Sequence, residues 1–379
     1  MKILKIFLLS LLVIVFAIKA KATDISDEIS SSINNEFNEF KDSLPNNVKD
    51  FLPNEVLNGD FSTLTNGEID EGSLLSLALD YLISELDTVI KSFASILALL
   101  LIIGAFNSLA QSFSSSTLIN TFSICSVLSV AITVFNICQV LVTRAVSYVK
   151  TLCSVMNAFI PIMITLLIMS GNTSSAVVSN TSMVLFINII ESFLIVSMLP
   201  LIKMCLSFSC VKSLSNGRDL TRISKTAKNT FTSVTVFVMS VFMFVLSYKS
   251  TLSQSTDSLS QKAVKFAISS FVPLVGSSVN DAMRTVSSSL SYIKNSCGII
   301  AIIAIAVIML PIIVNLFLNK LSFNILASVA QLVNADKESL ILDEADSCCG
   351  FLLTIVACTC VLFIFSLTIF IKTEVNLIS

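Results

Sequence analysis

The side chains able to do chemistry are few, and most are set in apolar surroundings. The 379-residue chain has no histidine and no tryptophan, which excludes histidine-dependent triads, His-ligated zinc and the usual imidazole proton shuttle. Glu191 is the one acid well inside a long apolar run. An ionised group at that depth costs several kcal/mol, so it is a candidate for a pathway or an ion pair. The bland alternative is a wet position near the headgroups, beside Asn188 and Ser192. A second concentration is residues 262–294, KAVKFAISSFVPLVGSSVNDAMRTVSSSLSYIK. There Asp281 and Arg284 stand three apart, close enough to pair on one helix face, and Gly276 follows Pro273 at a distance that permits a sharp break. With Lys265, this stretch either lines a polar cavity or lies at the interface as an amphipathic helix.

Other groups read more plainly. The ten cysteines lie mostly in apolar runs, and Cys348-Cys349 and Cys358-Thr359-Cys360 do not give the paired spacing of a metal site; they read as small hydrophobes. Asp336, Glu338, Asp343, Glu344 and Asp346 form an acidic cluster without the spacing or central glycine of a calcium loop, and read as a solvated face. No Gly-rich phosphate loop occurs, so the chain is not its own ATPase. No cofactor or metal is implied, and no enzyme is expected. Lys212, Arg218, Arg222, Lys225 and Lys228 have no stacking aromatics between them, so positive-inside charge explains them and nucleic acid is not a partner.

These groups are positioned by elements that water does not solvate. The composition is 54% hydrophobic and 13% charged, against about 25% charged for soluble chains. Residues 1–22, MKILKIFLLSLLVIVFAIKAKA, run from lysines through an apolar stretch to Ala20-Lys21-Ala22, the order of a secretory signal; the rival is an uncleaved span, for which the stretch is short. Residues 23–88 hold fifteen Asp and Glu against Lys41 and Lys49, whereas 89–379 hold 17 basic and 10 acidic residues. The first region reads as small extracytoplasmic helices and turns, too short for a strong core of its own and leaning on the membrane region or a partner.

From residue 89 onward the fold class is all-α: a polytopic helical membrane protein. Apolar runs at 93–109, 118–142, 183–208, 231–248, 298–318 and 350–371 each approach the ~20 residues needed to cross a bilayer. Residues 152–169 and 263–279 are further apolar segments, so the count is six to eight. Both pivot on proline, at Phe159-Ile160-Pro161 and Phe271-Val272-Pro273. Met-Leu-Pro also occurs twice, at Pro200 and Pro311. Pro161 to Pro273 is 112 residues and Pro200 to Pro311 is 111, so two landmarks recur at one period. This reads as an internal duplication, with units at about 118–229 and 230–345 and with proline-broken or re-entrant segments facing a cavity or protein. If both proline segments are re-entrant, the basic connection falls inside the cell and a signal-bearing amino terminus outside. If both cross fully, charge and signal disagree.

The block 262–299, with Lys265, Phe271-Val272-Pro273-Leu274-Val275-Gly276 and Asp281, together with the FLPNEVLNGDF stretch at 51–61 and the earlier proline steps, resembles the stage III sporulation protein AE family along essentially the whole chain. That resemblance implies a membrane-embedded core or permease-like component of a channel apparatus joining mother cell and forespore during endospore formation. It further implies location in the mother-cell membrane around the forespore, with sister stage III sporulation proteins, a secretion-type ATPase and ring-forming proteins as partners. Membrane lipid is the other implied contact, and homo-oligomerisation is left open. A free-standing secondary transporter is the alternative that the duplication supports; an intramembrane protease ranks last for want of paired acids or a Ser–His couple.

Overall fold

The computed structural model describes residues 38–51, 71–110, 116–214, 221–271 and 276–373; the leader lies outside them. Long apolar runs free of internal turn signals form helix, because in lipid every backbone group must find its partner within its own segment. The helices are α1 Asn46–Phe51, α2 Glu71–Ala110, α3 Ser116–Met169, α4 Thr173–Ile189, α5 Val196–Leu214, α6 Thr221–Phe271, α7 Gly276–Leu332 and α8 Asp336–Lys372. A π-helical turn, Ile190–Ile195, joins α4 to α5. No strand occurs among the described residues.

Among the described residues six segments are long and apolar enough to cross a membrane: Ile83–Leu109, Ile119–Met169, Val196–Leu214, Arg222–Leu259, Ser287–Leu332 and Asp336–Lys372. Side-chain pairs fix their directions. Ser126 meets Glu338 and Phe159 meets Phe370, so α3 and α8 run parallel. Phe186 faces Phe363 while Ser209 reaches the carbonyl of Leu340, so α4 and α5 run against α8. Lys228 meets Glu344 and Gln254 meets Thr373, which sets α6 parallel to α8. Lys320 pairs with Asp346 and Lys294 with the Thr373 carbonyl, so α7 is antiparallel to it. Arg144 to Glu85 and Phe106 to Phe122 set α2 antiparallel to α3. The rods therefore alternate in direction along the chain.

Two reversals are built alike. The Asn172 amide donates to Leu167 and that of Gly171 to Ile168; the Ala335 amide donates to Ala330 and that of Asn334 to Gln331. This paired bonding is the Schellman cap, which needs a left-handed residue just past the helix end. Gly171 (φ 77°) and Asn334 (φ 55°) supply it. Glycine adopts that conformation freely and asparagine tolerates it.

Several sequence expectations are corrected here. Residues 118–142 and 152–169 lie on one uninterrupted helix of 54 residues, about 80 Å long. The second segment is thus neither re-entrant nor an extra crossing, and the eight-span version falls. Pro161 sits inside the helix on its exposed side, while Phe159, Ile160, Ile162 and Met163 are buried around it. Proline's φ already matches a helix, and this packing holds the turn that has lost one hydrogen bond. Pro200 and Pro311 likewise lie inside α5 and α7. Only near Pro200 is the helix irregular, where the π turn precedes the Val196 carbonyl that proline leaves without its usual donor.

Among the described residues α3 lies along α4 and α5, and α7 packs on α8, α2 and α3. The part of the acidic region that is described does lean on the bundle: Phe40, Leu44 and Val48 are buried in the common core, and Phe40 meets Phe159 edge-on at 5.3 Å.

Candidate functional site

Two polar constellations occupy the bundle. The first is the amino-terminal third of α8, where the acids read as solvated are partly buried. Glu344 Oε1 accepts from Lys228 Nζ and Ser224 Oγ, each at 2.5 Å, and Lys228 also donates to Ser347 Oγ at 2.7 Å. The Lys228 and Glu344 side chains are 5% and 8% exposed. Glu338 accepts from Ser126 Oγ at 2.5 Å, Lys337 donates to Ser123 Oγ at 3.0 Å, and Asp346 takes Lys320 at 2.7 and 2.8 Å. With Ser209 donating to the Leu340 carbonyl at 2.9 Å, this turn of α8 ties down α3, α5, α6 and α7. Glu338, Glu344, Asp346 and Lys337 are each answered from a neighbouring helix, so this part of the cluster clamps the bundle. The solvated-face reading holds for the exposed Asp336 and Asp343 and fails for the buried Glu338 and Glu344, whose partners Ser126, Ser224 and Lys228 are more than a hundred residues away in sequence.

The second constellation is open. Arg144 Nη1 donates to Glu85 Oε2 at 3.2 Å, and Asn315 Nδ2 donates to the same oxygen at 2.5 Å. Asn319 Nδ2 donates to the Asn315 carbonyl at 2.9 Å. Beside them a cavity of about 210 Å³ opens between α2, α3 and α7, with Val89, Ile137, Val140 and Leu141 as its apolar wall and Thr88, Ser92, Asn136, Arg144, Asn315 and Asn319 as its polar one. A second cavity of about 370 Å³, lined by Pro45, Ser147, Tyr148, Thr151 and Ile308, continues along the same face. Asn136, Val140, Arg144, Ser147 and Thr151 recur at steps of three or four residues, which is one side of a helix. This groove can orient a polar group by carboxamides and a guanidinium fork. Among the described residues no three metal-ligating side chains converge.

The sequence model of the family described as stage III sporulation protein AE matches residues 57–373. The chain belongs to the stage III sporulation protein AE family. A curated relative, stage III sporulation protein AE of Bacillus subtilis (strain 168), is 25% identical over 245 residues. That alignment covers 62% of this chain and 59% of the relative, so the chain spans less than two thirds of the length of the curated relative it matches. No solved structure matches. A role in sporulation follows from the family.

Within this member of the family the sequence candidates do not gather into one site. Pro161 and Pro200 face outward from α3 and α5, and Pro311 is buried in α7. None of the three lines either cavity. Glu191 lies in the π turn, Lys265 in α6, and Gly276, Asp281 and Arg284 in the first turns of α7. Pro273 and the side chains of these last five lie outside the described residues. Sequence reading missed Glu85 and Arg144 because both fall just outside the apolar runs. A usable signal was present in the run 298–318 and just past it: Asn315 and Asn319 are carboxamides four residues apart, hence on one helix face.

Proposed function

We propose that this chain is the membrane-embedded, permease-like component of an apparatus connecting mother cell and forespore. Its partners would be the sister stage III sporulation proteins, among them a secretion-type ATPase and ring-forming proteins. The observation that carries this reading is that the family match, residues 57–373, runs through all six membrane-crossing segments. What the family match covers is thus the helical bundle itself rather than a soluble appendage. The open polar groove of Glu85, Arg144, Asn315 and Asn319 supports a transport role, because it gathers a guanidinium, a carboxylate and two carboxamides from three helices beside an open cavity.

Orientation belongs to the same proposal. With alternating rods, the carboxyl-terminal ends of α2, α5 and α7 share one end of the bundle, and near the end of α5 and the start of α6 stand Lys212, Arg222, Lys225 and Lys228. Positive-inside bias favours that end as cytoplasmic, with residues 23–88 on the extracytoplasmic side and the chain in the mother-cell membrane around the forespore.

The test is affinity capture of the full-length tagged chain from membranes of sporulating cells, beside transport measured with the purified chain in vesicles. Co-purification of sister proteins, with no solute uptake by the chain alone, is the expected result. Uptake by the isolated chain without such partners would instead establish the free-standing transporter.

A further inference from the structure

We propose that the cavity between α2, α3 and α7 is a binding site for one membrane phospholipid, with its phosphodiester held by Arg144 and Asn136 and one acyl chain laid along Val89, Ile137, Val140 and Leu141.

The site is amphiphilic by construction. One wall is hydrocarbon, and the other presents a guanidinium, three carboxamides and two hydroxyls. Its volume of about 210 Å³ is below the roughly 300–1,000 Å³ of a small-molecule pocket, and it opens sideways past Val140, which is 53% exposed. Such a space suits part of an extended molecule whose remainder stays in the bilayer, not a whole soluble ligand.

Height along α2 agrees. Thr88 and Ser92 line the cavity, and in the same turns Asp87 and Lys91 form an i,i+4 pair with side chains 69% and 74% exposed. Exposed charges of that kind mark the level of lipid headgroups rather than the bilayer centre. The apolar run then continues from residue 93 to 109.

Donors remain available at that level. The ion pair uses Arg144 Nη1 alone, and Asn315 shares the Glu85 oxygen that receives it, so the guanidinium, 41% exposed, keeps a face for a second acceptor. A planar fork of N–H donors matches the oxygens of a phosphate better than a point charge does. Asn136 is an exposed residue of the cavity wall and has no hydrogen-bond partner among the described residues. A phosphodiester oxygen would satisfy its amide.

Free phosphate shares the headgroup chemistry, so the experiment separates the two. The full-length chain, purified in maltoside detergent, is titrated with phosphatidylglycerol, with the matching diacylglycerol and with inorganic phosphate, and is followed by native mass spectrometry and thermal unfolding. Phosphatidylglycerol should give a discrete one-lipid adduct and raise the unfolding temperature, while the other two should do neither. Asn136→Leu and Val140→Trp should weaken the adduct at least tenfold while unfolding without added lipid near the parent temperature. Arg144→Gln combined with Glu85→Gln, which leaves no stranded charge, should do the same. Equal stabilisation by diacylglycerol or by inorganic phosphate overturns the proposal, as does parent-level lipid binding in all three variants.

Discussion

Lys228 on α6 and Glu344 on α8 meet at 2.5 Å with both side chains almost wholly buried. Their charges survive there because Ser224 and Ser347 complete the bonding on either side. Removing two charges from water is expensive, and their mutual attraction repays this only when the remaining polar valences are filled.

Breaking this pair from one side should be costly. Lys228→Met or Glu344→Leu alone leaves a buried charge unanswered and should destabilise the bundle by about 3–5 kcal/mol. The double variant removes both charges and should recover most of that loss. Denaturant unfolding of the four proteins in detergent gives the coupling directly. Additive losses would mean that the two residues do not act on each other.

Asp257 of α6 caps another helix. It is 2% exposed, and its carboxylate accepts from the amides of Ser174 and Ser175 and from Ser175 Oγ, at 3.0, 3.0 and 2.8 Å. These amides are free donors of the first turn of α4. Asp257→Ala should lower stability by about 2 kcal/mol, the range of a lost cap and a stranded amide. Asp257→Asn, which keeps one acceptor, should lose less, and hydrogen exchange at residues 173–177 should rise in the same order.

Gly104 sets how closely α2 approaches the α7–α8 reversal. A Cβ added there would lie 2.7 Å from Val333 Cβ, inside contact distance. Gly104→Ala should cost about 1–3 kcal/mol through overpacking, and Val333→Gly in the same chain, which removes the Cβ that the new methyl would meet, should make the pair lose less than the two single changes added together. Thermal unfolding of the single and paired variants decides the matter, and an unaffected single variant would mean that the two helices have room to separate.

The alternation of rods makes a topological prediction. Fusions after Asn172 and after Asn334 should report opposite sides: alkaline phosphatase active at the first position, and green fluorescent protein bright at the second. A common side for both would contradict an odd number of crossings between them.

The helical class and the six crossings were legible because lipid demands long unbroken apolar runs, and the chain has them. The function of residues 152–169 was not legible. That run is as greasy as a span, yet Phe159 is buried between Phe40 and Phe370, at 5.3 and 5.9 Å; composition does not tell a protein interior from a bilayer. Proline misled for a related reason. Its local preference signals a break, but at Pro161 tertiary packing decides. The groove at Glu85 and Arg144 escaped notice because it joins residues from three helices, and only Asn315 and Asn319 hinted at it from within one segment. The acid cluster on α8 was visible, but the identity of its partners was a matter of fold.

The 54-residue span of α3 is more than twice what a hydrocarbon layer some 30 Å thick requires. Tilting takes up part of the excess, and the rest stands clear of the lipid as a continuation of the same strut. A movement imposed on its free end is therefore delivered to Arg144 with no slack hinge to absorb it, so a partner gripping that end would hold mechanical leverage over the groove.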